Sequence, residues 1–364
     1  MLAQPSLSSF LEKSLPGRIF PSGVLPLNNN PGLVECSLFR TALVLDTDEN
    51  TPVAFGIANK CGAKQAYCMV GKVANKYARK FVDVEEVEEV GTDKNKHSMF
   101  KELWPHSLDP GQIHILKVRD SVDSPVDKSQ MRPYHAVFSE DTYKPLQMTL
   151  ADSLFEQTIG TFNMNMEKNV TVDIMGADKY FANMALWRDH AGFVVTDTNR
   201  FVEITCDKQT ILDELSTLGG HSESSIVCIG KENRSEVAEF DDEVTLYQRG
   251  VFLDYILNHD QVNGHLAQTA PGCPTGYALS CGGRVLQCYA ENAPTAAKLL
   301  CAAASASPSD DITFFAQKGL HTAFDNLVEQ AKKIEPVFRL HTRTQKTQVN
   351  WKKVFVANIG LSLL

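Results

Sequence analysis

The sequence predicts an α/β protein built as two consecutive domains, each a mixed sheet flanked by helices. Three observations carry that expectation. The chain has 364 residues, more than one ordinary domain requires. Its apolar residues switch repeatedly between period two and helical spacing. The order strand, loop, helix, strand, helix, strand also occurs twice, over about 134–205 and about 284–345, as a weak repeat of pattern without identity.

Composition narrows the function classes. Hydrophobic residues make up 43% and charged residues 22%, an ordinary balance for a chain that buries a sizeable core. A net charge of −9 argues against broad binding to nucleic acid or anionic membrane, while leaving room for a local basic groove. No apolar run reaches the ~18 residues that suggest a membrane span. The nine cysteines are odd in number, scattered, and never spaced as C-x-x-C. Reduced buried thiols are therefore expected, and no metal site. The opening MLAQPSLSSFLEKSLPGRIF lacks a basic stretch followed by a long apolar one, so the expected compartment is the cytoplasm.

Taken in order, residues 1–32 carry Pro5, Pro16, Pro21, Pro26 and Pro31, and read as a short helix followed by irregular chain. VECSLFRTALVLDT and PVAFGIANK then read as antiparallel strands. From Cys61 to Asp127 the pattern is mixed, with a solvated acidic cluster at Glu85, Glu86, Glu88 and Glu89 and a clear strand in QIHILKVRDSV. The stretch Tyr134–Phe193 is the most regular. YHAVF is a strand, LQMTLADSLFEQTIGTFNM places Leu146, Leu150, Leu154 and Ile159 at helical spacing, NVTVDIM is β-branched, and ADKYFANMALW is helical again. This reads as a βαβα unit with parallel neighbouring strands. TNRFVEITC closes the first domain, 33–205.

The second domain, 206–364, opens with a helix capped by Asp207. SSIVCIG is a strand, and VAEFDDEVTLYQRGVFLDYIL an acidic turn and a helix. GYALSC and RVLQCY form a hairpin about Gly282-Gly283. AENAPTAAKLLCAAA is a helix with Asn292 as N-cap and Pro294 in its first turn. DDITFF is a strand, LHTAFDNLVEQAKKI an amphipathic helix, and RLHTRTQK with WKKVFVANIGL closes the sheet.

The 134–193 stretch resembles the acyl-CoA half of the GNAT superfamily of N-acetyltransferases. In that family a splayed strand leads into a loop of pattern R/Q-x-x-G-x-G/A, whose amides open a helix and hold the CoA pyrophosphate. Tyr143-Lys144 fall where the aromatic and basic residues belong, and Gln147 and Thr149 where the two glycines belong. WRDHAGFVV resembles the family's L-Y-x-x-x-G-F-x segment, with Arg188 in the place of its tyrosine. Residues 236–358 resemble a YitH-type GNAT-like domain through Asp241/Asp242, Val244, Tyr247 and Arg249, Gly276-Tyr277, Tyr289-Ala290, Ala297, Leu299 and Leu300, with Arg339, Thr342 and Arg343 as its R-x-x-T-R ending. Residues 33–205 resemble a divergent GNAT-related domain of unknown function expanded in nematodes.

The resemblance implies two GNAT-like domains and direct acyl transfer from acetyl-CoA or another acyl-CoA to a small amine. It implies a carboxylate base, for which Asp173 in NVTVDIM is the candidate, against a salt-bridged role for the same residue. The implied cofactor-binding residues are Phe138, Ser139, Lys144, Gln147, Met148, Thr149 and Leu150. His190 is expected to cap a helix end and Arg188 to pair at the surface. Arg249, Tyr277 and Tyr289 are read as pocket-lining or as core. The alternative function is a catalytically inactive binding or scaffold protein, because side chains at Gln147 and Thr149 restrict close phosphate approach. Pairing of two chains into a homodimer is compatible with either.

Overall fold

The strand Asn169–Met175 alternates Val170, Val172 and Ile174 with Asn169, Thr171 and Asp173, and in the computed structural model of the protein both of its faces are buried. An apolar face is what alternation predicts; a buried polar face is not. The structure describes residues 39–45, 52–62, 65–73, 81–86, 113–121, 148–149, 169–177, 188, 193–197 and 201–358, except 246–248, 259–260, 320 and 345–348. The chain divides into two units. One comprises Met1–Asp197 with Arg339–Gln345, the other Thr198–Phe338 with Lys346–Ser362. The division thus falls ahead of the TNRFVEITC strand that the sequence assigns to the first domain, and the R-x-x-T-R ending returns to the first unit. The expected class, α/β with mixed sheets and helices, is the one found.

The first unit contains β1 (Phe39–Leu45), β2 (Pro52–Gly62), β3 (Gln65–Val73), β4 (Phe81–Glu86), β5 (Ile113–Ser121), β6 (Met148–Thr149), β7 (Asn169–Met175) and β8 (Val195–Thr196). Their order is β7-β3-β2-β1-β5-β4-β6. The β1–β2 hairpin is antiparallel, as its sequence suggests. β7 does have a parallel neighbour, but it is β3, joined through Gln65–Asn169, Ala66–Val170 and Tyr67–Thr171. The expected partner, Tyr134–Phe138, lies outside the described residues. Met148 and Thr149, expected at the start of a helix, instead pair antiparallel with Val82 and Phe81. Helical spacing of leucines did not decide that end of the segment, because a strand edge at β4 was free to take it.

The second unit contains β9 (Phe201–Asp207), α1 (Lys208–Gly219), β10 (Ser225–Cys228), α2 (Arg234–Val244), α3 (Gly250–Leu257), β11 (Val262–Ala270), β12 (Cys273–Cys281), β13 (Arg284–Ala290), α4 (Ala293–Ala306), β14 (Asp311–Gln317), α5 (Asp325–Glu329) and β16 (Val354–Val356). β15 (Lys333–His341) begins in this unit and contributes Arg339–His341 to the first. The order is β10-β11-β12-β13-β14-β9-β15. α1 and α4 cover one face, burying Ile211, Leu215, Leu299, Leu300 and Ala303 against Ala278, Cys288 and Ile312. Each large apolar side chain so buried contributes about 1.5–3 kcal/mol.

Several local expectations meet their physical test here. Gly282 takes a left-handed φ of 58° in the β12–β13 turn, and a Cβ on Gly283 would sit 2.7 Å from the Asp311 carbonyl oxygen. Only glycine fits both demands. Asn292 caps α4, its side chain accepting from the Thr295 N–H at 3.0 Å. Asp207 precedes α1 but makes no cap bond; its carboxylate pairs with Lys332 at 2.5 Å. The acidic segment FDDEV is helical within α2 rather than a turn, with Val237, Phe240, Asp241 and Val244 as its buried stripe. The amphipathic helix after Leu320 shortens to a 3-10 turn and α5, because Lys333 onward is already strand. β16 does not close a sheet edge; it pairs with β13 in the interior. Cys206, Cys228, Cys273, Cys281, Cys288 and Cys301 are free, and burial pushes the Cys206 thiol up to about 11.

Candidate functional site

In the first unit, β3, β7 and the end of β15 present alternate residues to one shared polar floor. Gln65 and Tyr67 come from β3, Asn169, Thr171 and Asp173 from β7, and Arg339 and His341 from β15. All seven are buried. Buried polar groups need partners, and these side chains supply them to one another.

Asp173 anchors one end. Arg339 donates from Nε to Oδ1 and from Nη2 to Oδ2, both at 2.9 Å, and the Tyr67 hydroxyl donates to Oδ2 at 2.8 Å. Burial by itself would lower the Arg339 pKa; the adjacent Asp173 carboxylate outweighs it and holds the pKa above the ordinary range. At the other end Gln65 Nε2 donates to Thr171 Oγ1 at 2.9 Å, and Asn169 Nδ2 donates to Gln65 Oε1 at 2.9 Å. His341 joins the floor to Asp197. Its Nδ1 lies 2.8 Å from Thr171 Oγ1 and its Nε2 lies 3.4 Å from Asp197 Oδ2.

The floor lies where β3 and β7 part. Their pairing ends at Tyr67–Thr171, although β3 continues to Val73 and β7 to Met175. Beyond that pair the two parallel strands share no further register pair, and among the described residues no other strand pairs with the edges they leave to each other. Backbone N–H and C=O groups facing this gap in pairing require partners from elsewhere.

The second unit has the same device. β13 and β14 run parallel but share the single register pair Arg284–Thr313. Here the chain itself enters the gap. β16 lies antiparallel to β13 through Tyr289–Val354 and Cys288–Val356, and the Ala357 N–H donates to the Phe315 carbonyl of β14 at 2.9 Å. Val354, Phe355, Val356, Ala357 and Asn358 are all buried. The start of α4, the natural anion site after β13, is also taken. Pro294 has no N–H, Asn292 occupies the Thr295 N–H, and Lys353 Nζ bonds the Glu291 and Glu243 carboxylates at 2.7 and 2.6 Å.

On the α2–α3 side of this sheet stands a second buried polar cluster. Asp241 receives Arg249 Nε at 3.1 Å, Arg249 Nη2 at 3.0 Å and the Tyr277 hydroxyl at 2.5 Å. Gln287 Nε2 donates to Tyr277 Oη at 2.7 Å, and Asn358 Nδ2 to Gln287 Oε1 at 2.7 Å. Burial, and then the Asp241 charge, raise the Tyr277 pKa well above its usual value. Arg249, Tyr277 and Tyr289, singled out in the sequence, are therefore brought together, as a closed core network rather than an open wall. Arg249 also stands 5.3 Å from the Phe252 ring centroid and 5.6 Å from that of Tyr289.

The other sequence candidates separate. Asp173 is on the floor. Met148 and Thr149 form β6, five strands from β3, about 24 Å at the usual ~4.8 Å strand spacing. Phe138, Ser139, Lys144, Gln147, Leu150 and His190 lie outside the described residues. Arg188 is exposed. Sequence reasoning missed Gln65, Tyr67, Asn169, Thr171, Asp197 and His341. Their signal was polar residues at every second position of NVTVDIM and RLH, in strands that carry a full apolar face as well.

Three comparisons bear on the chain. Residues 26–195 match the model of a domain of unknown function, DUF7596. No curated protein matches. Among solved structures, a putative acetyltransferase from Pyrococcus horikoshii is similar over 86% of this chain and 77% of that one, at 10% identity and TM-score 0.43. N-myristoyltransferase of Saccharomyces cerevisiae covers 87% and 72%, at 10% identity and TM-score 0.37. A tandem GNAT protein from the clavulanic acid biosynthesis pathway covers 82% of both chains, at 11% identity and TM-score 0.38. Overlaps this distant assign no residue a role.

Proposed function

We propose that the protein is an acyl-CoA-dependent N-acyltransferase whose acyl-CoA arm lies in the β3/β7 gap of the first unit. The observation that carries this reading is the parting of β3 from β7 after Tyr67–Thr171, beside a buried polar floor. An extended ligand bearing amide groups satisfies an open strand edge as an added strand does. The second unit illustrates the fit, since its own gap takes the extended segment Val354–Ala357. Acetyl-CoA is the simplest such donor and a small amine the acceptor. A backbone N–H of β3 at the gap would polarise the thioester carbonyl for direct attack.

On this reading Asp173 holds the floor in register and does not take the amine's proton. Both its oxygens already accept from Arg339 and Tyr67. The inactive alternative applies to the second unit, whose gap and helix start are filled by its own chain. Calorimetric titration with acetyl-CoA tests the assignment: one equivalent per chain is expected. A Thr149→Ala variant should bind equally well, because β6 lies far from the gap in strand order. Weakened binding in that variant would move the site to the 144–149 segment. Two equivalents would contradict the closed second unit, and no binding at millimolar ligand would end the acyltransferase reading.

A further inference from the structure

The Thr171–His341–Asp197 chain has a direction that the floor's structural role does not need. Thr171 is fully buried and belongs to the last register pair before β3 and β7 part. The Asp197 side chain at the other end keeps 14% of its surface exposed. His341, between them, is 5% exposed. The hydrogen bonds are also mutually consistent in one sense only. Asn169 Oδ1 accepts from the Arg343 N–H at 3.0 Å, which turns Asn169 Nδ2, a donor only, toward His341 Nδ1 at 3.4 Å; Thr171 Oγ1, accepting from Gln65 Nε2, then donates its own proton to the same Nδ1. Nδ1 is then the accepting nitrogen, and Nε2–H points to the Asp197 carboxylate. The result is an imidazole oriented by a carboxylate, with its accepting nitrogen joined through a hydroxyl to the last β3–β7 register pair.

We propose that Thr171, His341 and Asp197 form the proton path of the transfer reaction, with His341 as the group that takes up the proton. This rests on the acyl-CoA assignment above. In the step, the amine nitrogen bonds to the thioester carbonyl carbon and the C–S bond breaks. The nitrogen's proton passes to Thr171 Oγ1 as the Thr171 proton passes to His341 Nδ1. The imidazolium is stabilised by Asp197 and gives its proton to solvent, while the leaving thiolate takes one from solvent. Thr171 relays the proton directly and Asp197 is a positioning residue in this path, and no acyl group is carried on the protein.

The test compares wild type, His341→Gln and His341→Ala, with acetyl-CoA as donor and butylamine as acceptor. Gln can accept from Thr171 but cannot hold a proton, so His341→Gln keeps the fold and isolates the chemistry. Expected is a fall in kcat of about 10²-fold or more, with KM for acetyl-CoA within about twofold, and partial rescue of His341→Ala by added imidazole. Asp197→Asn should lower kcat less and leave acetyl-CoA binding intact. A His341→Gln enzyme within about twofold of wild type would overturn the path. So would a wild type that binds acetyl-CoA yet neither acetylates butylamine nor hydrolyses the thioester. A wild type that does not bind acetyl-CoA would instead remove the reading beneath it.

Discussion

The two units meet the same backbone problem and solve it differently. Each has a pair of parallel strands that share few register pairs and then part, β3/β7 in one and β13/β14 in the other. Each also has a buried Asp–Arg pair with a tyrosine hydroxyl on the carboxylate: Asp173, Arg339 and Tyr67; Asp241, Arg249 and Tyr277. In the second unit the triad sits between α2, the start of α3 and β12, and the gap holds β16. In the first it lies on three neighbouring strands at the root of the gap, linked on the same face to a histidine. A gap filled by apolar strand is core. A gap rooted in a polar floor has chemistry available to it.

The largest effect expected is loss of either carboxylate. Asp173→Asn or Asp241→Asn leaves a buried guanidinium without its counter-charge, at about 3–5 kcal/mol. Denaturant unfolding should show both losses, and equal sensitivity would confirm that the triads are structural equivalents. If Asp173→Asn proves nearly neutral, the two triads are not comparable.

Next is Phe355→Ala, which probes whether β16 is core. The Phe355 ring stacks on His321 at 3.8 Å between centroids and meets Phe324 edge-on at 5.5 Å. Truncation should cost about 3 kcal/mol or more and leave acetyl-CoA stoichiometry at one. An increase in stoichiometry would mean that β16 is a removable occupant.

Smaller, at about 1–3 kcal/mol each, are Tyr67→Phe and Tyr277→Phe. Tyr277→Phe should cost more, since Gln287 loses an acceptor as well as Asp241 its donor.

The smallest effect is on pH dependence. Burial lowers the pKa of His321, partly opposed by its hydrogen bond to the Val354 carbonyl. A histidine whose folded pKa is depressed binds protons better when unfolded. Its contribution is present above the unfolded value of about 6.5 and is lost as pH falls from there toward the folded value. His321→Gln should flatten that part of the stability profile, read by thermal melts between pH 7 and pH 5. His265, also lowered by burial, is expected to leave a residual slope.

Much of the second unit was legible from local rules. Gly282-Gly283 and the Asn292 cap each fix an element through neighbours close in sequence. The β3–β7 partnership was not, because it joins residues 65–67 to 169–171 across a long insertion. Sequence order suggested a partner nearer by, in Tyr134–Phe138, which lies outside the described residues. Asp173 stood out as a carboxylate in a β-branched strand. Arg339 and Tyr67, which give it meaning, stand far from it in the chain. The destination of β16 was equally hidden, since VFV reads as a strand whether it takes an edge or an interior gap.

Hydrogen–deuterium exchange with and without saturating acetyl-CoA tests the contrast between the two gaps most directly. Slowed exchange in peptides covering Tyr67–Val73 and Val172–Met175, with Arg284–Ala290 and Val354–Val356 unchanged, is the predicted result. Protection confined to β13 and β16 would contradict it, and would place the ligand in the unit assigned here as closed.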